Sequence, residues 1–164
     1  MNRIAAFSLF AILATTLTWS SDAHAVSSGF LKRIVERPLY GTSVQSADFT
    51  KSGKAYLSQE MRVNFTSATR FSGKAYSTFK LDGVSYRASY EIHGSINGTS
   101  KSITYRTGRR IRADRLPNGL TWCSTSNATL TVYRLKGASG HYILRGPTSD
   151  SCGGSSSVEL TTRR

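Results

Sequence analysis

Hydrophobic and polar residues alternate with a period of two through most of the chain beyond Pro38. The apolar set Leu57, Met61, Val63 and Phe65 shows this pattern, and Phe71, Ala75 and Phe79 repeat it. The run from Val84 to His93 is the most regular, with Glu91 and His93 among its polar positions. Because a period of two puts alternate side chains on opposite faces of a strand, each segment predicts a strand with one buried face.

Turn signals separate these segments and predict where the chain reverses. Asp82-Gly83 and Asn97-Gly98 are typical of tight hairpin turns, and Pro117-Asn118-Gly119 is typical of a looser one. Further strands are predicted at 100–106, 120–123, 128–135, 141–145 and 157–161. About eight short strands with almost no helix predict an all-β fold, a small antiparallel meander barrel with a sandwich as the alternative. We favour the barrel because an open meander leaves two exposed edges.

One helix is predicted, at 28–36. Phe30, Leu31, Ile34 and Val35 fall on one face at helical spacing, and Pro38 ends the run. We expect this short N-terminal helix to pack across one end of the sheet.

Residues 1–25 have the pattern of a cleavable secretory signal peptide. Arg3 precedes an apolar run over 4–17, and Ala23 and Ala25 stand at minus three and minus one of a cut before Val26. The apolar run is shorter than the ~20 residues that span a bilayer. The predicted organisation is therefore a signal peptide, 1–25, and a single β-rich domain, 26–164, that is periplasmic or secreted, with no transmembrane segment after cleavage.

The chain is strongly basic, with a formal net charge of +13. The excess is concentrated after residue 100, where the chain contains eleven basic and three acidic side chains. Such a charge predicts attraction to polyanions, and in the cell envelope these include anionic lipid, lipopolysaccharide and anionic glycans. Simple solubility is the alternative explanation.

Cys123 and Cys152 are the only cysteines. In an oxidising compartment an isolated pair usually bridges, so we predict a structural disulfide. A closed loop of this length stabilises a fold by roughly 3–4 kcal/mol in the chain-entropy model.

The densest local charge lies between 106 and 115, which we interpret as a long loop between two strands. Guanidinium groups pair bidentately with phosphate or carboxylate, and a solvated charge run is the alternative. Aromatic residues are not interleaved, which disfavours single-stranded nucleic acid. The predicted binding residues are Arg106, Arg109, Arg110, Arg112 and Arg115.

No motif predicts a catalytic site, a metal site or a cofactor. The chain has no nucleophile elbow, phosphate loop or His-Glu-x-x-His sequence. Glu91 and His93 point the same way on one strand, which we interpret as a solvated pair rather than a metal or acid/base site. A small ribonuclease-like site would have to use Glu91, His141 and the arginines, but their spacings do not match that pattern.

The sequence Ser52-Gly-Lys-Ala-Tyr56 recurs twenty residues later as Ser72-Gly-Lys-Ala-Tyr76. We interpret the repeat as two equivalent strand starts. Its Ser-Gly-x-x-Tyr part resembles a short motif of the bacterial lysozyme-inhibitor barrels, over five residues only. Lysozyme is itself basic, so the charge of this chain is opposite to what such an inhibitor requires.

Three functional hypotheses follow from the sequence. The first is a non-enzymatic exported barrel that binds an anionic envelope component, a lipid or glycan, through its arginine-rich loop. The second is a protein-interaction module, such as an inhibitor, an immunity protein or an envelope-assembly subunit, that meets an acidic protein surface with tyrosine anchors. The third is a small secreted hydrolase or nuclease.

Overall fold

A computed structural model describes residues 27–46, 54–117, 119–134 and 140–162. These residues form one helix and eight antiparallel strands that close into a barrel, with neighbours in chain order. The predicted signal peptide and its cut before Val26 lie outside the described residues. The elements are α1 (Ser28–Val35), β1 (Leu39–Ser46), β2 (Lys54–Phe65), β3 (Arg70–Leu81), β4 (Val84–Asn97), β5 (Ser102–Ala113), β6 (Thr125–Arg134), β7 (Tyr142–Asp150) and β8 (Ser155–Thr161).

The predicted all-β barrel with one N-terminal helix is confirmed. Closure comes from the pairing of β1 with β8, from Tyr40 opposite Thr161 to Gln45 opposite Ser156. The turn between β3 and β4 is the predicted Asp82-Gly83, where both residues have positive φ angles, 50° and 79°. Such angles are what a two-residue hairpin turn requires.

Two details of the strand prediction are wrong. β1 was not expected, and residues 120–123 are not a strand. β1 lacks a clear apolar alternation because its inward positions after Leu39 are the small residues Gly41 and Ser43. The backbone of β8 lies so close that a Cβ on Gly41 would overlap the carbonyl oxygen of Glu159, at 1.8 Å.

Helix α1 covers one end of the barrel, here called the helix end, as predicted. Ser27 caps the helix by accepting a hydrogen bond from the backbone N–H of Phe30 at 3.2 Å. The buried face of the helix, Leu31, Ile34 and Val35, joins the main core cluster. That cluster also contains buried barrel residues from every strand, among them Leu39, Met61, Phe71, Ile92, Ile103, Leu130, Leu144 and Leu160.

The opposite end, here called the loop end, is covered by the segment between β5 and β6. Its partly buried Leu116, Leu120 and Trp122 pack against a second cluster formed by Leu57 and Phe79. The predicted disulfide is present and joins Cys123, at the end of this segment, to Cys152 in the turn between β7 and β8. The loop end is therefore held by apolar contacts and one covalent bond.

Small inward residues bring strands together. A Cβ on Gly73 would lie 2.1 Å from the carbonyl oxygen of Arg62 on β2, so the backbones of β2 and β3 approach more closely there than any larger residue permits. Ala75 packs against the main core, and Ala88 is buried. These positions fit the tight coiling of a small barrel.

Candidate functional site

The predicted arginine loop is mostly a strand. β5 extends to Ala113, so Arg106, Arg109, Arg110 and Arg112 belong to the sheet, and of the five predicted binding residues only Arg115 lies in the following loop. The prediction of a long loop over 106–115 is therefore wrong for most of its length, and the reason lies in the pairing of β5. β5 pairs with β4 through two register shifts, next to Tyr90 on either side, and these irregularities break the period of two by which a strand is recognised.

The register shifts decide which arginines share a face. Arg106 lies opposite His93 and Arg112 opposite Ser89, both outward-facing positions on β4. Arg110 lies opposite Tyr90, whose ring is buried in the barrel. A β-bulge redirects side chains in this way. The five residues therefore divide into an outer group, Arg106, Arg109 and Arg112, and a second group, Arg110 and Arg115, at the loop end.

Positive charge is concentrated on one side of the barrel. Strands β3, β4 and β5 together contain eight basic residues and one acidic residue, Glu91, whereas β6, β7 and β8 contain two of each. We call the outward basic residues of β3, β4 and β5 the basic wall. They are Arg70, Lys74, Lys80, Arg87, Arg106, Arg109 and Arg112.

One carboxylate lies within the basic wall and pairs with one of its arginines. Arg109 Nη2 donates to Glu91 Oε1 at 2.8 Å, and Arg109 Nε donates to the same oxygen at 3.2 Å. This hydrogen bonding lowers the pKa of Glu91 and raises the pKa of Arg109. Among the described residues, Arg109 is the only member of the basic wall that forms an ion pair. The other basic side chains of the wall form no ion pair with any described residue.

Arg110 and Arg115 line a separate pocket at the loop end. Its volume is about 460 Å³, and Leu116, Leu120 and Trp122 also line it. Trp122 is held in place because its Nε1 donates to the backbone carbonyl of Asp114 at 2.8 Å. This pocket and the basic wall are two distinct surfaces, although the sequence grouped their arginines together.

Below Arg110 lies the buried hydroxyl of Tyr90. The ring is 4% exposed, and the hydroxyl has no hydrogen-bond partner within the described structure. Burial raises the pKa of Tyr90, and the neighbouring charge of Arg110 opposes that rise. Tyr105, which is also buried, has its pKa raised by burial.

The structure does not bring together the groups of a ribonuclease-like site. Glu91 is on β4, and His141 directly precedes β7, which is separated from β4 by β5 and β6. His141 Nδ1 is buried and has no partner among the described residues. His93 is exposed on the outer face beside Glu91, whose carboxylate is occupied by Arg109. The predicted outward direction of Glu91 and His93 agrees with the register.

The one cluster of potential metal ligands found among the described residues contains the disulfide itself. Cys123, Cys152 and Asp150 lie together at the loop end, but the two sulfurs are bonded to each other. Asp150 Oδ1 accepts the backbone N–H groups of Cys152, at 2.8 Å, and of Gly154, at 3.0 Å. The carboxylate thus organises the turn between β7 and β8.

Arg87 lines the same outer surface but is not among the predicted binding residues. It stands alone in the regular alternation of β4, and nothing in its local sequence marks it as part of a charge cluster. The signal that points to it is the hairpin register set by Asp82-Gly83, which puts Arg87 opposite Thr78. The tyrosines of the repeat, Tyr56 and Tyr76, are both exposed on the outer face, at 59% and 40%, while Ser52 and Gly53 lie outside the described residues.

Comparison of the chain with protein-family models, with curated proteins and with solved structures finds no match. In the part of the chain that the structure describes, no helix combines the length and the apolar run needed to cross a membrane.

Proposed function

We propose that this protein is exported and binds an anionic component of the cell envelope, a lipid, a lipopolysaccharide or a glycan, through its basic wall. The observation that carries the proposal is the uneven charge of the barrel: eight basic residues against one acidic residue on β3–β5, and equal numbers on β6–β8. Charges spread only for solubility would not need to gather on three adjacent strands.

The open geometry of the basic wall supports a surface-binding role. The wall residues project from the outside of the barrel, and within the described part of the chain only Arg109 among them forms an ion pair, with Glu91. Each basic side chain close to an anionic membrane contributes about 1 kcal/mol of attraction, and several of them acting together give stable association.

Export is part of this proposal. The pattern of residues 1–25 supports it, and so does the Cys123–Cys152 disulfide, because such bonds persist in oxidising compartments. In that setting the anions within reach are those of the envelope.

The experiment is co-sedimentation of the protein with vesicles of phosphatidylglycerol or of phosphatidylcholine, at increasing salt. We expect binding to phosphatidylglycerol alone, weakening steeply as salt screens the charges. The double variant Arg106→Gln/Arg112→Gln should bind at least about tenfold more weakly. A charge-matched control, Arg33→Gln/Arg134→Gln, changes arginines outside the wall and should bind like the parent protein.

Two outcomes would contradict the proposal. One is equal binding to both lipids, and the other is equal loss in the two double variants, since that would mean that net charge rather than the wall determines binding. Recovery of a protein partner, with no affinity for anionic vesicles or lipopolysaccharide, would favour the interaction-module hypothesis instead.

A further inference from the structure

A groove with a volume of about 370 Å³ lies in the outer surface of β3, β4 and β5. It is at the part of the basic wall nearest the loop end. Its lining combines two arginines, one exposed tyrosine and several hydroxyl side chains. These lining residues are Tyr76, Thr78, Ser85, Arg87, Ser89 and Arg112.

Strand register fixes how these side chains face one another. Tyr76 lies opposite Ser89, and Ser89 lies opposite Arg112, so the three form one row across the sheet. In the next row Thr78 lies opposite Arg87. Diagonal neighbours on a sheet face stand about 7–8 Å apart, within reach of long side chains. Arg87 and Arg112 are such a pair, and their guanidinium groups can converge on one oxyanion above Ser89.

The acid beside these two arginines forms an ion pair with neither of them. Asp114 also lines the groove, but its Oδ2 accepts the backbone N–H of Arg87 at 2.8 Å, and its own N–H donates to the carbonyl of Arg87 at 2.8 Å. Asp114 therefore continues the ladder between β4 and β5. Neither Arg87 nor Arg112 forms an ion pair within the described residues.

The rest of the groove is suited to a polyhydroxylated group. Tyr76 is 40% exposed and offers a flat apolar ring with a polar hydroxyl. Thr78, Ser85 and Ser89 each provide a hydroxyl that both donates and accepts hydrogen bonds. In small-molecule sites, a small number of polar groups around an apolar surface fix the orientation of the ligand.

We propose that this groove binds a phosphorylated saccharide, with the phosphate between Arg87 and Arg112 and the sugar ring against Tyr76. The inference rests on the proposed function and deepens it, since it names the anion that the basic wall selects. Arg–phosphate pairs are commonly bidentate, and two guanidinium groups match the charge of a phosphate monoester better than that of a single carboxylate.

The test is titration of the isotopically labelled protein with glucose 6-phosphate, followed by amide resonances in nuclear magnetic resonance. Glucose, inorganic phosphate and glucuronate are titrated in parallel. We expect glucose 6-phosphate to bind most tightly and to shift signals around Ser89. Arg87→Gln and Arg112→Gln should each lower the affinity about tenfold or more, as expected for a lost charged hydrogen bond. Arg33→Gln, on the helix, should leave it unchanged.

The Tyr76→Ala variant separates the sugar contact from the phosphate contact. This variant should bind glucose 6-phosphate more weakly than the parent protein does, and it should bind inorganic phosphate with unchanged affinity. Equal binding of inorganic phosphate and glucose 6-phosphate would overturn the saccharide assignment, and tighter binding of glucuronate would overturn the phosphate assignment. Absence of any shift in a protein that still binds phosphatidylglycerol vesicles would overturn the groove proposal alone. Absence of both activities would overturn the proposed function as well.

Discussion

Arg109 donates two hydrogen bonds to one carboxylate oxygen of Glu91, at 2.8 and 3.2 Å, across the bulged pairing of β5 with β4. The pKa of Glu91 is lowered chiefly by these bonds. A lowered carboxyl pKa contributes stability that is present above the ordinary pKa of glutamate and is lost as the pH falls through the lowered value. At neutral pH this pair therefore removes one arginine from the basic wall.

Replacing Glu91 should strengthen binding. In Glu91→Gln the Arg109 guanidinium is released, so we expect tighter association with phosphatidylglycerol vesicles at a given salt concentration. The melting temperature should change little, because exposed ion pairs contribute little to stability. Glu159→Gln is the matched control. It breaks the 2.8 Å ion pair between Glu159 on β8 and Arg145 on β7, outside the basic wall, and it changes the net charge by the same amount. Equal gains in the two variants would contradict a role for the wall.

Tyr90→Phe should stabilise the protein. The Tyr90 hydroxyl is buried and has no described partner, and an unsatisfied buried polar group costs about 1–3 kcal/mol. Chemical denaturation at neutral pH measures the difference. A less stable variant would show that the hydroxyl has a partner after all.

The stability of the protein at alkaline pH should also depend on Tyr90. Burial raises the pKa of Tyr90, so its contribution to stability is fully present below the ordinary tyrosine pKa of about 10 and is lost as the pH rises through the folded value. The free energy of unfolding should therefore fall more steeply above pH about 10 in the parent than in Tyr90→Phe. Parallel curves would contradict this assignment.

Gly73→Ala should be strongly destabilising. The added methyl group would meet the Arg62 carbonyl oxygen at 2.1 Å, and overpacking of this kind costs about 1–3 kcal/mol. Gly29→Ala serves as the control, because the nearest atom to its Cβ would be 4.0 Å away and alanine is favoured over glycine in a helix. The two alanine variants should therefore change the unfolding free energy in opposite directions. An unaffected Gly73→Ala variant would mean that β2 and β3 are not so close.

Removing the disulfide should loosen the loop end. Cys123 and Cys152 are 29 residues apart in sequence, and we expect Cys123→Ala/Cys152→Ala to lose roughly 3–4 kcal/mol of stability. Trp122 reports the local change by fluorescence, because the only other tryptophan, Trp19, lies in the predicted signal peptide. A red-shifted emission is expected as Trp122 becomes hydrated. Unchanged stability and emission would show that apolar packing alone holds the loop.

The strands that could be predicted are those whose inward face is mainly apolar. β2, β3 and β4 each present large inward residues, such as Met61, Phe79 and Ile92, at every second or fourth position. β1 was not predicted because its central inward residues are Gly41, where close contact with β8 leaves no room for a side chain, and the small buried Ser43. Leu120 and Trp122 alternate like strand residues, yet they pack as a loop over Leu57 and Phe79.

The candidate site was only partly predictable for a related reason. The arginines of β5 are conspicuous in sequence, but the bulges that turn Arg110 away from Arg109 and Arg112 arise from pairing with β4. Arg87 joins Arg112 only through the register of the folded sheet. Composition reveals an excess of charge, whereas the surface that carries it depends on contacts between residues distant in sequence.

The most direct test of the central claim is a map of the surface that contacts an anionic membrane. Amide signals of the protein are compared with and without nanodiscs containing phosphatidylglycerol, at low salt. The account predicts that the largest changes fall on β3, β4 and β5, around Ser89, Arg106 and Arg112, and that β7 and β8 are little affected. Changes centred on β7 and β8, or no changes at low salt, would contradict it.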